Sequence, residues 1–306
     1  MVLVDSYILY FRLFFSDMGG ELTLYMTGNA HKLSMGRPSR EPLYSKGDRD
    51  QYPIPEEYSK VRYVDFVSSH VKNSDNMLIS QSIHESKFCG IFGTHKRYKT
   101  KSTSTSWGKK SSYPDMIEYI RTQWKDDKYV FSLVADEETG SFYVYLVEGF
   151  GYDQSIVKEL SDIKEKWDDG KMITSCTSNR STYYIVMTDK VSGYHDAGQS
   201  YFTRKSWSDV SSEIGKHYKD GKIITSLCYN QRLKEYLVIM TASSEGQSYK
   251  RTSNSKERSK WIDEMYKKDR HPTIVFKDPN DDQILVVMTS DDQRSGYTTR
   301  YNYQLE

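Results

Sequence analysis

One feature constrains this chain more than any other: from residue 61 onward it repeats itself. Four short segments pair a bulky aromatic with a polar turn: Trp124-Lys-Asp-Asp-Lys128, Trp167-Asp-Asp-Gly-Lys171, Tyr218-Lys-Asp-Gly-Lys222 and Tyr266-Lys-Lys-Asp-Arg270. Each aromatic has an isoleucine four residues earlier, at Ile120, Ile163, Ile214 and Ile262, which is the spacing of one helical face. Ile117/Ile120/Trp124 and Leu160/Ile163/Trp167 extend that stripe to about three turns. Val64/Val67/Val71 fits the same template without the aromatic and marks a fifth, diverged copy. The anchors then stand 53, 43, 51 and 48 residues apart, the range of propeller blades and similar arrays. Gly170 and Gly221 fall where a helix C-terminus needs a left-handed residue.

Two apolar strands are predicted after each helix. The first set is Met77–Ser82, Tyr129–Val134, Met172–Thr177, Ile223–Cys228 and Thr273–Phe276; the second is Lys87–Phe92, Phe142–Val147, Tyr183–Thr188, Tyr236–Thr241 and Ile284–Thr289. The shared ending Met187-Thr188, Met240-Thr241 and Met288-Thr289 marks the second strand, and its apolar run calls for cover on both faces. A third, more polar strand follows at Gln154–Val157, Gln199–Phe202, Gln247–Lys250 and Tyr297–Tyr301, with the alternation of an edge.

The expected fold is therefore α+β, mainly β: five αβββ repeats at about 61–111, 112–156, 157–206, 207–254 and 255–306. A closed propeller-like ring is favoured because closure removes sheet edges; the alternative is an open or barrel-like array. Residues 1–60 are set apart. An apolar start is broken by Asp5 and Arg12, and then comes a Gly-, Pro-, Ser- and charge-rich stretch read as an extended arm held by contacts. The apolar start is too short to span a bilayer and lacks a basic leader, so neither a membrane span nor a secretory signal is expected.

Some of these stretches resemble the non-catalytic region that follows the kinase domain in plant casein-kinase-I-like protein kinases. They are Gly149-Phe-Gly-Tyr-Asp-Gln154, Gln247-Ser-Tyr-Lys250, Lys166-Trp-Asp-Asp-Gly170 and Val286-Val-Met288. The resemblance covers roughly residues 112–306 and implies an appendage domain without catalysis. No Gly-rich phosphate loop, His-Arg-Asp loop or Asp-Phe-Gly accompanies it.

Chemistry-bearing motifs are scarce. There is no Walker, dinucleotide or zincin pattern, and the seven histidines do not pair at ligand spacing, so neither cofactor nor metal is expected. His217 is read as a partner for helix-terminal carbonyls. Asp126/Asp127, Asp168/Asp169, Asp281/Asp282 and Asp291/Asp292 read as turn formers rather than a hydrolase's carboxylate pair. Trp124, Trp167, Tyr218 and Tyr266 read as core, not as a ligand cage. Cys89, Cys176 and Cys228 read as small buried hydrophobes in a reducing compartment.

A basic stretch without an acidic residue from 86 to 114 interleaves Lys96, Arg97, Lys99, Lys101, Lys109 and Lys110 with Tyr98 and Trp107. It suits an acidic partner, and equally an edge strand whose lysines block aggregation. With 43 basic and 42 acidic residues the chain has a net charge of +1, which makes nucleic acid the weaker form of that partner.

The expected function is a non-enzymatic scaffold for protein–protein interaction, cytoplasmic, with the arm docking on a larger assembly. A cytoskeletal or ciliary setting and a microtubule-like acidic filament would suit it. The alternatives are a module reading acidic or phosphorylated peptides on the ring axis and a hydrolase on a propeller scaffold.

Overall fold

The computed structural model describes residues 104–149, 153–189, 198–281 and 283–290 continuously. Outside these it describes residue 67 and the strands 24–27, 32–35, 58–59, 77–84, 87–93 and 303–304. The protein is mainly β, built of small separate antiparallel sheets. Strands β4 (Met77–His84), β7 (Lys128–Asp136), β10 (Lys171–Asn179), β13 (Lys222–Asn230) and β16 (Arg270–Lys277) are the five inner strands. Each forms a hairpin with its central strand: β5 (Lys87–Gly93), β8 (Ser141–Glu148), β11 (Thr182–Asp189), β14 (Glu235–Ala242) and β17 (Ile284–Ser290). Both strand sets fall where the apolar runs predicted them. From Tyr236 to Thr241 and from Ile284 to Thr289 every residue is buried, because these strands have a sheet neighbour on each edge and packing on each face.

Four helices follow the aromatic-anchor pattern: α1 (Tyr113–Trp124), α2 (Ile163–Asp168, entered through a 3-10 turn at Leu160–Asp162), α3 (Trp207–Lys219) and α4 (Ser255–Tyr266). Three begin on side-chain caps. Ser112 Oγ accepts from Asp115 N (3.3 Å), Ser206 Oγ from Asp209 N (3.1 Å) and Asn254 Oδ1 from Glu257 N (3.1 Å). Three residues past each anchor the backbone turns left-handed, at Asp127 (φ 59°), Gly170 (φ 81°), Gly221 (φ 70°) and Asp269 (φ 55°). Gly170 and Gly221 thus stop their helices as the sequence implied, and Asp takes the same position in the other two units.

The polar strands correct the expected repeat. β9 (Gln154–Val157), β12 (Gln199–Arg204) and β15 (Gln247–Thr252) pair with β11, β14 and β17, the central strands of the unit that follows, not with the strand just before them. β6 (Thr105–Lys110) pairs with β8 in the same way. The unit of folding is therefore βαββ, with sheets ordered outer, central, inner, and the αβββ boundaries shift by one strand. The polar strand leads into its own helix and returns through it, so the central strand has one neighbour from each side of the helix.

Within the expected arm, β1 (Leu24–Thr27) pairs with β2 (Lys32–Met35), and β3 (Tyr58–Ser59) adds to β5. β18 (Tyr303–Gln304) also joins β5, at Gly93 and Phe92, beyond the stretch where β3 pairs with Phe88 and Lys87. The polar strand expected at Tyr297–Tyr301 lies outside the described residues, as do Val64 and Val71; Val67 is buried.

The inner strands are neighbours in chain order, β4 beside β7, β7 beside β10, β10 beside β13 and β13 beside β16, and β16 lies again beside β4. Each carries a β-bulge at the same place, at residues 79, 131, 174, 225 and 273. Numbering each strand from its bulge residue puts equivalent residues in register.

Candidate functional site: the cavity between the inner strands

Neighbouring units are joined by a glutamine. Gln199, the first residue of β12, accepts from Ile173 N (2.8 Å) and Trp167 Nε1 (3.1 Å) and donates to Ile173 O (3.0 Å) and Thr241 Oγ1 (3.0 Å). Gln154 makes the same four bonds to Val130 N and O, Trp124 and Thr188; Gln247 makes them to Ile224 N and O, Tyr218 and Thr289. The polar strand of one unit thereby holds the inner strand of the unit before it, and every hydrogen-bonding atom of the amide is used. The serine that follows the glutamine serves its own sheet. Lys171 Nζ donates to Ser155 Oγ (2.7 Å) and Lys222 Nζ to Ser200 Oγ (3.0 Å). The Met-Thr endings close the circuit: Thr188, Thr241 and Thr289 bond the bulge threonines Thr174, Thr225 and Thr273 at 2.8–2.9 Å.

These bonds explain the anchors. Trp124, Trp167 and Tyr218 are half-buried rather than wholly in the core, because each aims its N–H or O–H at a glutamine; Tyr266 is buried. The Gln-Ser repeat and the Met-Thr repeat were visible in the sequence. Their partnership was not, because it spans 34 to 42 residues.

At the centre the inner strands meet through side chains rather than a backbone ladder. Ser175 Oγ accepts from Leu133 N (3.2 Å) and Thr177 Oγ1 from Ala135 N (2.9 Å). Ser226 Oγ accepts from Cys176 N (3.1 Å); Ser80 Oγ accepts from Val275 N (3.1 Å) and Ser82 Oγ from Lys277 N (2.9 Å). On β10 and β4 the hydroxyls one and three residues past the bulge hold amides of the neighbouring strand, and on β13 the first of these places, Ser226, does so. Between the strands is a cavity of about 350 Å³ with residues of all five inner strands in its wall.

One rim of the cavity is acidic. Asp136, Glu137 and Glu138 line it, with Lys277 the basic residue there. Glu137, half-buried, accepts from Ser178 Oγ (2.7 Å) and from Gln231 N (3.3 Å), and so reaches from its own unit to the strand end of the unit two further on. Burial pushes the Glu137 carboxyl above the usual carboxylate range, although both hydrogen bonds oppose the shift. Cys176 and Cys228 also line the cavity. Burial, with Cys176 beside it, raises the Cys228 thiol well above its ordinary value and keeps it from acting as a thiolate.

Units four and five are clamped by a buried polar group. Asp278 Oδ2 accepts from Arg251 Nη2 (2.6 Å), Arg251 Nε (3.1 Å) and Tyr236 OH (2.6 Å), and the Arg251 guanidinium lies 4.8 Å over the Trp207 ring. Tyr183 OH donates to Glu235 Oε1 (2.9 Å) at the corresponding place between units three and four.

Of the basic stretch, Lys96, Arg97, Tyr98, Lys99 and Lys101 lie outside the described residues. Trp107, Lys109 and Lys110 are on β6, at the edge of its sheet. Trp107 stacks on Tyr145, Lys109 Nζ sits 5.5 Å from the Tyr143 ring and Lys110 Nζ 3.9 Å from the Tyr119 ring. Trp107 and Lys109 thus pack on the sheet and Lys110 on the helix. His217 does not serve the helix-terminal carbonyls; its ring stacks flat on Phe202 (5.5 Å, 5°). Among the acidic pairs, Asp127 makes the left-handed turn after α1 and Asp281 Oδ1 accepts from Gln283 N, both local turn roles. Among the described residues no group of three or more His, Cys, Asp or Glu is placed to hold a metal ion, and no helix is long and apolar enough to cross a membrane.

No protein-family model matches the chain, and no curated protein matches it.

Proposed function

We propose that this protein is a non-enzymatic interaction module: a propeller-like closed ring of five βαββ units whose axial cavity takes up a segment of a protein partner. The cavity carries the reading. It has walls from all five inner strands, presents hydroxyls and backbone edges, and matches in size the small end of ligand pockets, which run from roughly 300 to 1,000 Å³. Closure of the ring is supported by β16 lying beside β4 and by β18 completing the sheet of β5. A non-catalytic role is supported by what the polar groups do: the glutamines and inner-strand hydroxyls are engaged in joining units, and the Cys228 thiol is held protonated. The acidic rim argues against an acidic or phosphorylated peptide, because Asp136, Glu137 and Glu138 would repel it; the segment read here is neutral or basic.

The test compares full-length wild type with Glu137→Arg, each immobilised and offered a lysate of its source cells. Near-UV circular dichroism checks that the variant is folded. Partners held by wild type and lost by the folded variant support the reading. Equal retrieval by both removes the cavity from recognition.

A further inference from the structure

The bonds between inner strands follow one pattern at β7–β10 and at β16–β4, and β13–β16 is the junction where both acceptor places lack a side-chain acceptor. The residues two and four past the bulge turn their amides away from the central strand and toward the next unit. Leu133 and Ala135 do so toward Ser175 and Thr177, and Val275 and Lys277 toward Ser80 and Ser82. Leu227 and Tyr229 hold those same places on β13. Facing them on β16, the acceptor places are taken by Ile274 and Phe276, which have no side-chain acceptor. The units are held above and below this point, by Gln247 on Ile224 and by Tyr236 on Asp278, and lack polar bridging between those ties. Leu227, Tyr229, Ile274 and Phe276 all line the cavity and are nearly buried.

We propose that this junction is the binding wall of the cavity: the Leu227 and Tyr229 amides take two carbonyls of a short extended peptide that bears a basic side chain at the Glu137 end. Amides two residues apart on a strand are about 6.6–6.8 Å from each other. That is too far for the two oxygens of one carboxylate, and it matches carbonyls two residues apart on an extended peptide. Buried amides without acceptors are costly, so the wall favours an occupant that supplies them. The charge of the occupant follows from Glu137, which hydrogen-bonds Gln231 N just beyond the end of β13 and brings a carboxylate to that end of the wall.

The inference rests on the cavity being the binding site, and the experiment separates the two. Full-length protein is titrated with acetyl-Ala-Ala-Lys-amide, with its Glu counterpart and with acetyl-Ala-Ala-Ala-amide, while amide exchange is followed by NMR. Free protein is expected to exchange Leu227 and Tyr229 at least tenfold faster than Leu133 and Ala135. The Lys peptide is expected to slow both at least tenfold and to bind at least tenfold more tightly than the Glu peptide. Ile274→Ser, which supplies the missing acceptor, is expected to protect Leu227 without peptide and to weaken the Lys peptide at least tenfold. Should that variant fail to fold, Glu137→Gln provides the second arm, weakening the Lys peptide while leaving the Ala peptide unchanged. Binding without protection of Leu227 and Tyr229 overturns the inference and leaves the cavity as the binding site. Failure of all three peptides to bind overturns both.

Discussion

Gln154 shows how much one side chain carries. Its amide satisfies Val130 N and O at 2.8 and 2.9 Å, accepts from the Trp124 indole and donates to Thr188, all while 4 % exposed. Replacing it with leucine keeps the bulk and strands the Val130 groups in a buried place. Gln154→Leu is expected to destabilise the fold by roughly 2–4 kcal/mol, read from urea unfolding, since each stranded buried group costs about 1–3 kcal/mol. A loss near zero would mean that water replaces the amide. Glu137 runs the other way. Its folded-state pKa is raised by burial, so the native state holds this proton more tightly than the unfolded chain does. Stability from that proton is present below the ordinary carboxylate pKa and lost as pH rises through the raised value. Glu137→Gln, which keeps an acceptor for Ser178 and Gln231, is expected to be more stable than wild type at neutral pH and equal to it under acid. Thermal melts across that range check the sign.

Among the elements, α3 permits a controlled comparison. Gly215 lies inside the helix, exposed, with nothing within 4 Å of where a Cβ would stand; Gly221 lies after it at φ +70°, with the same open space. Alanine at Gly215 is expected to stabilise by about 0.5–1 kcal/mol, because glycine carries excess entropy in a helix. Alanine at Gly221 is expected to destabilise by about 1–2 kcal/mol, because a Cβ strains the left-handed turn. Equal effects in denaturant unfolding would show that neither conformation matters. The four helices were legible in the sequence because the isoleucine and aromatic spacing marks one face and the turn residues mark the end. Which apolar residue completes the face was less so: in α1 it is Met116, buried, rather than half-buried Ile117, because the helix rotates to bring Trp124 to Gln154.

In the whole molecule, glutamines tie three units to the one before, hydroxyls tie β7 to β10, β10 to β13 and β16 to β4, and β16 lies beside β4. Units tied in this way are expected to unfold together. Far-UV circular dichroism and tryptophan fluorescence should report one coincident transition, and Gln154→Leu should shift both equally. Two separated transitions would show the units to be independent, as in an open array that propagates from any point.

The sequence by itself determined the elements: the apolar runs, the anchors and the left-handed turn positions are local, set by side-chain periodicity and backbone sterics within a dozen residues. Only the tertiary structure decided which sheet each polar strand joins, because β9, β12 and β15 have the same alternation whichever neighbour they choose. The choice lies in glutamine bonds to residues more than twenty positions away. The cavity was equally hidden, since its wall takes a few residues from each of five distant strands. The apolar pair Ile274 and Phe276 acquires meaning only beside Ser175 and Thr177 on β10 and Ser80 and Ser82 on β4, which stand in the same places.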